Sequence, residues 1–236
     1  MTTTETQAPV KTPHYHGHRQ RLRQRFLAGG RQAVADYELL EMLLGMAIPR
    51  GDVKPLAKEL LARFGRFADV LRATPDELMT VRGIGETTVA ALKTVEAAAF
   101  SLMEHDLKAQ PILRNWQAVV DYCRAQMGHA KVEQFRLLFL DARNAVIRDE
   151  VQQTGTINQT AIYPREVVKR ALEVGAAAVI MVHNHPSGDP TPSKPDIDMT
   201  RHVAAALKVV GIQLHDHIII SRSEHASLKG MGFIEG

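Results

Sequence analysis

The chain has 236 residues, 45% of them hydrophobic and 23% charged, and a formal net charge of +3. That balance excludes wholesale disorder, and the length allows one large domain or two small ones. The single cysteine, Cys123, excludes an intrachain disulfide and a cysteine-based zinc ligand set, and no run approaches the roughly 18 apolar residues that span a membrane. Residues 1–17 carry Thr, Pro and His without an apolar period and read as a flexible leader. Their start, Met1-Thr-Thr-Thr-Glu, lacks the charged-then-apolar order of a signal peptide, so a cytoplasmic protein is expected. Between Thr6 and Ala35 stand Lys11, Arg19, Arg21, Arg23, Arg25 and Arg31 and no acid. Such a stretch either follows nucleic-acid phosphates or is a solvated arm.

From His18 to Met103 the pattern is helical, and 18–103 reads as an all-helical domain. Residues 37–46 are a strongly apolar helix, broken at Ile48–Asp52. Asp52 can cap a helix over Val53–Phe64 that Gly65 ends. A short helix over Phe67–Leu71 follows, and Thr74-Pro75-Asp76-Glu77 is a capping box with proline at the first helical position. Residues 81–88 join two helices. Residues 104–113 lose the period and read as a linker to a second domain, 114–236.

The second half changes character. Asn115 can cap a helix from Trp116 to Met127. Phe135–Leu140 is a short apolar strand with a hairpin partner at Ala145–Val151. A helix runs from Pro164 to Gly175, and Ala177–Val182 is a continuous apolar strand, expected to be buried on both faces. A helix from about Asp196 to Val210 and a strand at Leu214–Ser221 complete an α/β domain, so the whole chain is α+β.

The buried strand runs into His183 and His185. Histidines at i and i+2 of an extended chain point to one side and can share a metal. Four prolines, Pro186, Pro190, Pro192 and Pro195, stiffen the loop that follows, and Asp196 stands at a helix start. Three nitrogen and oxygen ligands leave the fourth position of a tetrahedral zinc for water, the catalytic arrangement. Taken singly, Ser193-x-x-Asp196 is also a capping-box-like helix start, and His-x-His can be a pair of satisfied polar residues. Asp216 and His217 read as strand residues with structural hydrogen bonds.

His183-x-His185-x₇-Ser193-x₂-Asp196 resembles the JAMM signature of the JAB/MPN metallopeptidases. The wider string His-Asn-His-Pro-Ser-Gly-Asp-Pro-x-Pro-Ser-x-x-Asp is similar to one branch of them, the bacterial RadC proteins. Glu38–Glu41, Ile48–Lys58, Pro164–Glu166 and Asp216–Ile220 fit that branch too, so the likeness covers about residues 18–233. It implies a cytidine-deaminase-like fold for the second half and zinc-dependent hydrolysis of amide or isopeptide bonds in a peptide or protein. It implies one zinc per chain on His183, His185 and Asp196, with Ser193 helping to hold the oxyanion. It also implies an upstream glutamate as general base. Glu133, just before the Phe135 strand, fits that order, with Glu150 as competitor and Glu166 the weaker third candidate.

Residues 81–88 resemble the helix–hairpin–helix element of DNA-binding proteins. Gly83 and Gly85 would let the backbone turn tightly and approach a phosphate, with Arg82 and Thr87 adding contacts. A valine at Gly85 is expected to force the loop from a positive-φ geometry. The alternative function is therefore a DNA-binding or repair-associated protein whose metal centre acts on or near nucleic acid.

Overall fold

The computed structural model describes residues 17–109, 111–112, 115–155 and 162–234, so all of the leader but Gly17 lies outside the described residues. It divides into two compact units, Met1–Ala98 and Ala99–Gly236.

The first unit is helical. It comprises α1 (His18–Gly29), a 3₁₀ turn (Gly30–Ala33), α2 (Asp36–Ala47), α3 (Lys54–Phe64), α4 (Phe67–Arg72), α5 (Pro75–Met79) and the start of α6 (Glu86–Ala109). Leu40, Leu44, Leu60, Leu78 and Leu92 are its fully buried centre. Thr74 caps α5 reciprocally with Glu77, the Thr74 amide donating to Glu77 Oε2 at 2.9 Å. Asp52 caps α3 from one residue further out than expected: its Oδ1 accepts from Lys54 N at 2.9 Å, so the helix starts at Lys54.

The basic stretch is largely structural. The Arg19 guanidinium donates to the carbonyls of Ile48 (3.2 Å), Pro49 (2.8 Å) and Gly51 (2.7 Å), satisfying the chain as it leaves α2. Arg25 pairs with Glu38, and Arg31 with Asp36. Those acids sit in the first turn of α2, where the helix dipole favours them, so the arginines tie the chain around α1 to α2.

The second unit takes the rest of α6, and the proposed linker needs correcting: residues 104–109 are helical. Leu107 is only 4% exposed and packs with Met103 in the unit's core, and Lys108 pairs with Glu104 one turn back. Helix α7 (Trp116–Met127) is capped by Asn115, whose Oδ1 accepts from Ala118 N at 3.2 Å. The strands are β1 (Gln134–Leu140), β2 (Val146–Thr154), β3 (Ala178–Asn184), β4 (Gln213–Ile220) and β5 (His225–Ser227), with α8 (Pro164–Val174) and α9 (Lys194–Val209) between them. They form one mixed sheet in the order β2-β1-β3-β4-β5, with β3 and β4 its single parallel pair. Leu138, Leu140, Ile180 and Val182 pack on one face with α7, and Phe135, Leu137, Val179 and Met181 on the other with α8 and α9. β3 is buried throughout, as its unbroken apolar run requires. β5, too short to carry a period, has no counterpart in the sequence reading.

Cys123 lies fully buried in α7, and burial pushes its thiol up to about 12. At pH 8 its thiolate fraction is therefore on the order of 10⁻⁴. The native protein should not react with a chromogenic disulfide reagent over an hour, whereas denatured protein should react within minutes. Equal rates would show α7 to be open. No described helix is long and apolar enough to cross a membrane.

Candidate metal centre

β3 ends at His183-Asn184, and His185 follows with its amide still donating to Ile220 O at 2.9 Å. Alternation puts His183 and His185 on one side and Asn184 on the other. The proline-rich loop then delivers the chain to α9, where Ser193 and Asp196 cap each other. Ser193 N donates to Asp196 Oδ2 at 2.8 Å, and Asp196 N donates to Ser193 Oγ at 3.3 Å. This cap holds the Asp196 carboxylate beside the two histidines.

The three side chains converge on one point. His183 Nε2 is 2.9 Å from His185 Nε2 and 3.4 Å from Asp196 Oδ1, and His185 Nε2 is 3.7 Å from Asp196 Oδ2. A tetrahedral ion with bonds of about 2.0–2.2 Å keeps its ligands roughly 3.3 Å apart, a value these separations bracket.

Hydrogen bonds behind the histidines fix which nitrogen faces that point. The Thr200 hydroxyl donates to the Asp196 carbonyl at 2.6 Å, so its oxygen accepts from His217 Nδ1 at 2.5 Å. With its proton on Nδ1, neutral His217 presents Nε2 as an acceptor, and His183 Nδ1 donates to it at 2.8 Å. His185 Nδ1 donates to the Asp189 carbonyl at 2.8 Å. Both Nε2 lone pairs are thereby turned toward each other and toward a carboxylate. Two lone pairs and an anion facing one point repel unless a cation or a proton lies among them, so the donor set fits a metal ion.

The electrostatics agree. Burial drives His183 down to about 4 and His217 well below the usual range, so both are neutral at pH 7. Asp196 raises His185 by hydrogen bonding, against the lowering by burial. Burial would raise Asp196, but hydrogen bonds from His185 and from the Ser193 hydroxyl and amide outweigh it and lower the carboxylate.

Glu133 stands one residue before β1. Phe135 pairs with His183 across the β1–β3 ladder, and the same register continued brings Glu133 opposite His185, on the histidine side of the sheet. Its charge is felt there, raising His185. Asn184, on the other side, clamps the same segment: its Oδ1 accepts from Gln134 N at 2.7 Å and its Nδ2 donates to Val132 O at 3.1 Å. The residue between the two histidines thus holds the backbone on both sides of Glu133. Glu150 is engaged elsewhere. Arg170 Nε and Nη2 donate to its two oxygens at 2.7 and 2.5 Å, and this pairing keeps it below the usual carboxylate range. Glu166 is at the start of α8, paired with Arg165.

Ser193 gives its hydroxyl hydrogen to Asp196 Oδ2 at 2.5 Å, so it supports the carboxylate directly. Asp216 does structural work as expected, accepting from His217 N, Lys229 N and Ser227 Oγ. His217 does more than expected, since it touches His183. In the first unit, Arg82, Gly83 and Gly85 are exposed in the turn before α6, and Thr87 is exposed in the first turn of α6. The left-handed residue of that turn is Gly83, at φ 91°; Gly85 is not among the glycines of positive φ, and a Cβ there would meet nothing within 4 Å. The strain expected of a valine at Gly85 therefore belongs to Gly83.

Compared with models of known families, residues 113–233 match the RadC-like JAB domain and residues 16–90 match the UPF0758 N-terminal domain. The first match covers more than half of the chain and carries a JAMM-type, hydrolase-like fold.

Proposed function

The chain belongs to the bacterial RadC family, and on that footing we propose that its JAB domain is a zinc-dependent hydrolase of amide or isopeptide bonds in a peptide or protein. The observation that carries this reading is the pair of Nε2 lone pairs turned onto Asp196 by hydrogen bonds on the far side of each ring. Zinc held by His183, His185 and Asp196 would supply Lewis acidity, polarising the scissile carbonyl and bringing a water near neutrality.

The chain's own groups do the rest. Glu133 accepts the proton of the attacking water on its carboxylate and passes it to the departing nitrogen. Asn184 holds the Glu133 backbone against the histidine strand. Ser193 orients Asp196; the oxyanion duty implied by the resemblance requires its hydrogen to turn from that carboxylate to the substrate. His217 and Thr200 keep the His183 proton on Nδ1, as carboxylates and carbonyls do behind other metal-bound histidines.

The test is the metal-stripped and zinc-reloaded protein against a panel of peptides, isopeptides and DNA. Zinc-dependent cleavage of an amide supports the reading, and cleavage of DNA alone would replace it with the nucleic-acid alternative. A finer test addresses the relay. Thr200→Val removes the hydroxyl at nearly constant volume and frees His217 to hold its proton on either nitrogen. Zinc affinity, read by competition with a chromophoric chelator, is expected to fall about 10–100-fold. An unchanged affinity would mean that His217 does not govern His183.

A second reading concerns the first unit, favoured by the exposed Arg82, Gly83 and Gly85 of the turn into α6, with Gly83 in the left-handed region. There we propose weak, sequence-independent contact with DNA phosphates. Because Arg19, Arg25 and Arg31 serve α2 and its flanking loops, deleting residues 1–31 would damage the fold, and Arg82→Ala and Arg23→Ala are the cleaner variants. In fluorescence anisotropy of the full chain with short duplexes, log K should fall linearly with log salt. Each variant should reduce the slope by roughly 0.9 for every phosphate it no longer neutralises. No binding at low salt removes the DNA role.

A further inference from the structure

A groove of about 630 Å³ lies on the second unit, along the C-terminal half of α9. Arg201, Ala204, Ala205 and Lys208 of that helix line it, together with Leu214 of β4 and Phe233 from the segment after β5. The four α9 residues stand at i, i+3, i+4 and i+7, so they share one helical face, with a cation at each end and small apolar residues between. Ala204, Leu214 and Phe233 belong to the core beneath, which makes the floor apolar. Arg201 and Lys208 are exposed, and among the described residues neither has a carboxylate within ion-pair distance, Asp198 one turn before Arg201 included. No acid lines the groove among the described residues. Lys208 also offsets the negative end of the α9 dipole, which leaves Arg201 the stronger draw on an anion. Val209, next in the chain, is 86% exposed, an aliphatic side chain left almost wholly in water.

We propose that this groove docks an amphipathic helix of a partner protein, one that carries an acid at each end of a short apolar stretch. The spacing of the cations selects a helix. Arg201 and Lys208 are seven residues apart on α9, roughly 10.5 Å along its axis. Acids seven positions apart on a helix laid beside α9 recur at the same interval. The positions three and four after the first acid then bring apolar side chains onto the floor. A single small carboxylate meets only one of the two cations. The groove is also half open, which suits an object laid along it better than a small ligand, whose sites bury roughly 70–90% of its surface. Nucleic acid is disfavoured because the floor between the cations is apolar and gives phosphates no donor. The docking goes beyond the hydrolase reading and does not depend on it, since no member of the His183, His185 and Asp196 group lines the groove.

The experiment titrates the full chain into a fluorescein-labelled, end-blocked helical peptide and follows anisotropy. The peptide has two glutamates seven positions apart with two leucines midway on an alanine-rich background, and its twin has glutamine for both glutamates. The glutamate peptide is expected to bind about three- to tenfold more tightly than the twin at low salt, as two exposed ion pairs allow, and the gap should close as salt is raised. Arg201→Gln with Lys208→Gln should bind both peptides alike. Ala205→Glu, which sets an anion between the two cations at an exposed helical position, should abolish binding of the glutamate peptide. Unchanged melting temperatures in these variants show that the fold is kept. Serine in place of the two leucines should also abolish binding, because the floor then gains nothing. Equal binding of the two peptides by the parent overturns the proposal, as does binding that the cation variants leave untouched. Decanoate that displaces the peptide and binds more tightly than it assigns the groove to a small amphiphile and overturns the helix. Self-association in sedimentation velocity that Ala205→Glu removes, with no peptide binding by the parent, assigns the face to a second copy and likewise overturns it.

Discussion

His183→Ala is expected to abolish stoichiometric metal loading. Protein purified without chelator should carry close to one zinc per chain, and the variant should carry little. The size of the effect follows from the site's build. His183 is fully buried and central, in contact with His185, Asp196 and His217 at once. Alanine would remove one of the three proposed ligands and leave His217 Nε2 without its donor. Elemental analysis measures the loading, and a thermal-melt series measures its energetics. Ligation that favours the native state adds about 2.7 kcal/mol when free zinc is a hundred times its dissociation constant. The parent melt should therefore rise with added zinc, and the variant melt should not. Loading should also weaken in acid. Asp196 raises His185, so protons compete with the metal for that ring at a higher pH than for a free imidazole, and loading weakens as pH falls. Full loading of His183→Ala would show the ion to sit elsewhere. Manganese, nickel or iron in place of zinc would leave the site intact, since affinity order alone does not choose the metal.

The parts of this centre differ in how far the sequence displays them. His183 and His185 are legible because a buried apolar strand ends in them and strand alternation sends them to one side. Ser193 and Asp196 are legible because a reciprocal cap is a local pattern. His217 is not. It lies 34 residues from His183 and meets it only because β4 lies parallel to β3 in the register that sets Met181 beside His217. The one local sign is a histidine at the head of the apolar run Ile218–Ile220, on a strand buried at every position after Gln213. Asn184 was hidden differently: its partners are backbone atoms of Val132 and Gln134, which have no residue signature. Charge misled in the first unit. A run of arginines without acids suggests an outside partner, yet Asp36 and Glu38 open the next helix and take Arg31 and Arg25. The linker failed through Leu107, a single apolar residue that keeps the stripe of α6 going inside a polar segment.

Glu133→Gln should retain zinc and lose hydrolysis. The amide matches the carboxylate in shape but cannot accept a proton from the attacking water. Removing a general base typically costs on the order of 10²–10⁴-fold in rate. Metal binding should survive because Glu133 is no member of the His183, His185 and Asp196 group. The matched control is Glu150→Gln. Its carboxylate is fastened to Arg170, which favours the ionised form and occupies both oxygens, so it lacks the readiness of a base. That variant should lose some stability and keep its turnover. Asn184→Leu supplies the third comparison, for it releases Gln134 N and Val132 O without touching any charge. Its kcat should fall while zinc affinity holds, and hydrogen exchange at the Gln134 amide should quicken. A base that works only when its backbone is clamped predicts that Glu133→Gln and Asn184→Leu together cost no more than Glu133→Gln alone, since residues acting as one unit are not additive. Full turnover in Glu133→Gln with an inactive Glu150→Gln would move the role to Glu150, and additive losses in the double variant would separate Asn184 from the base.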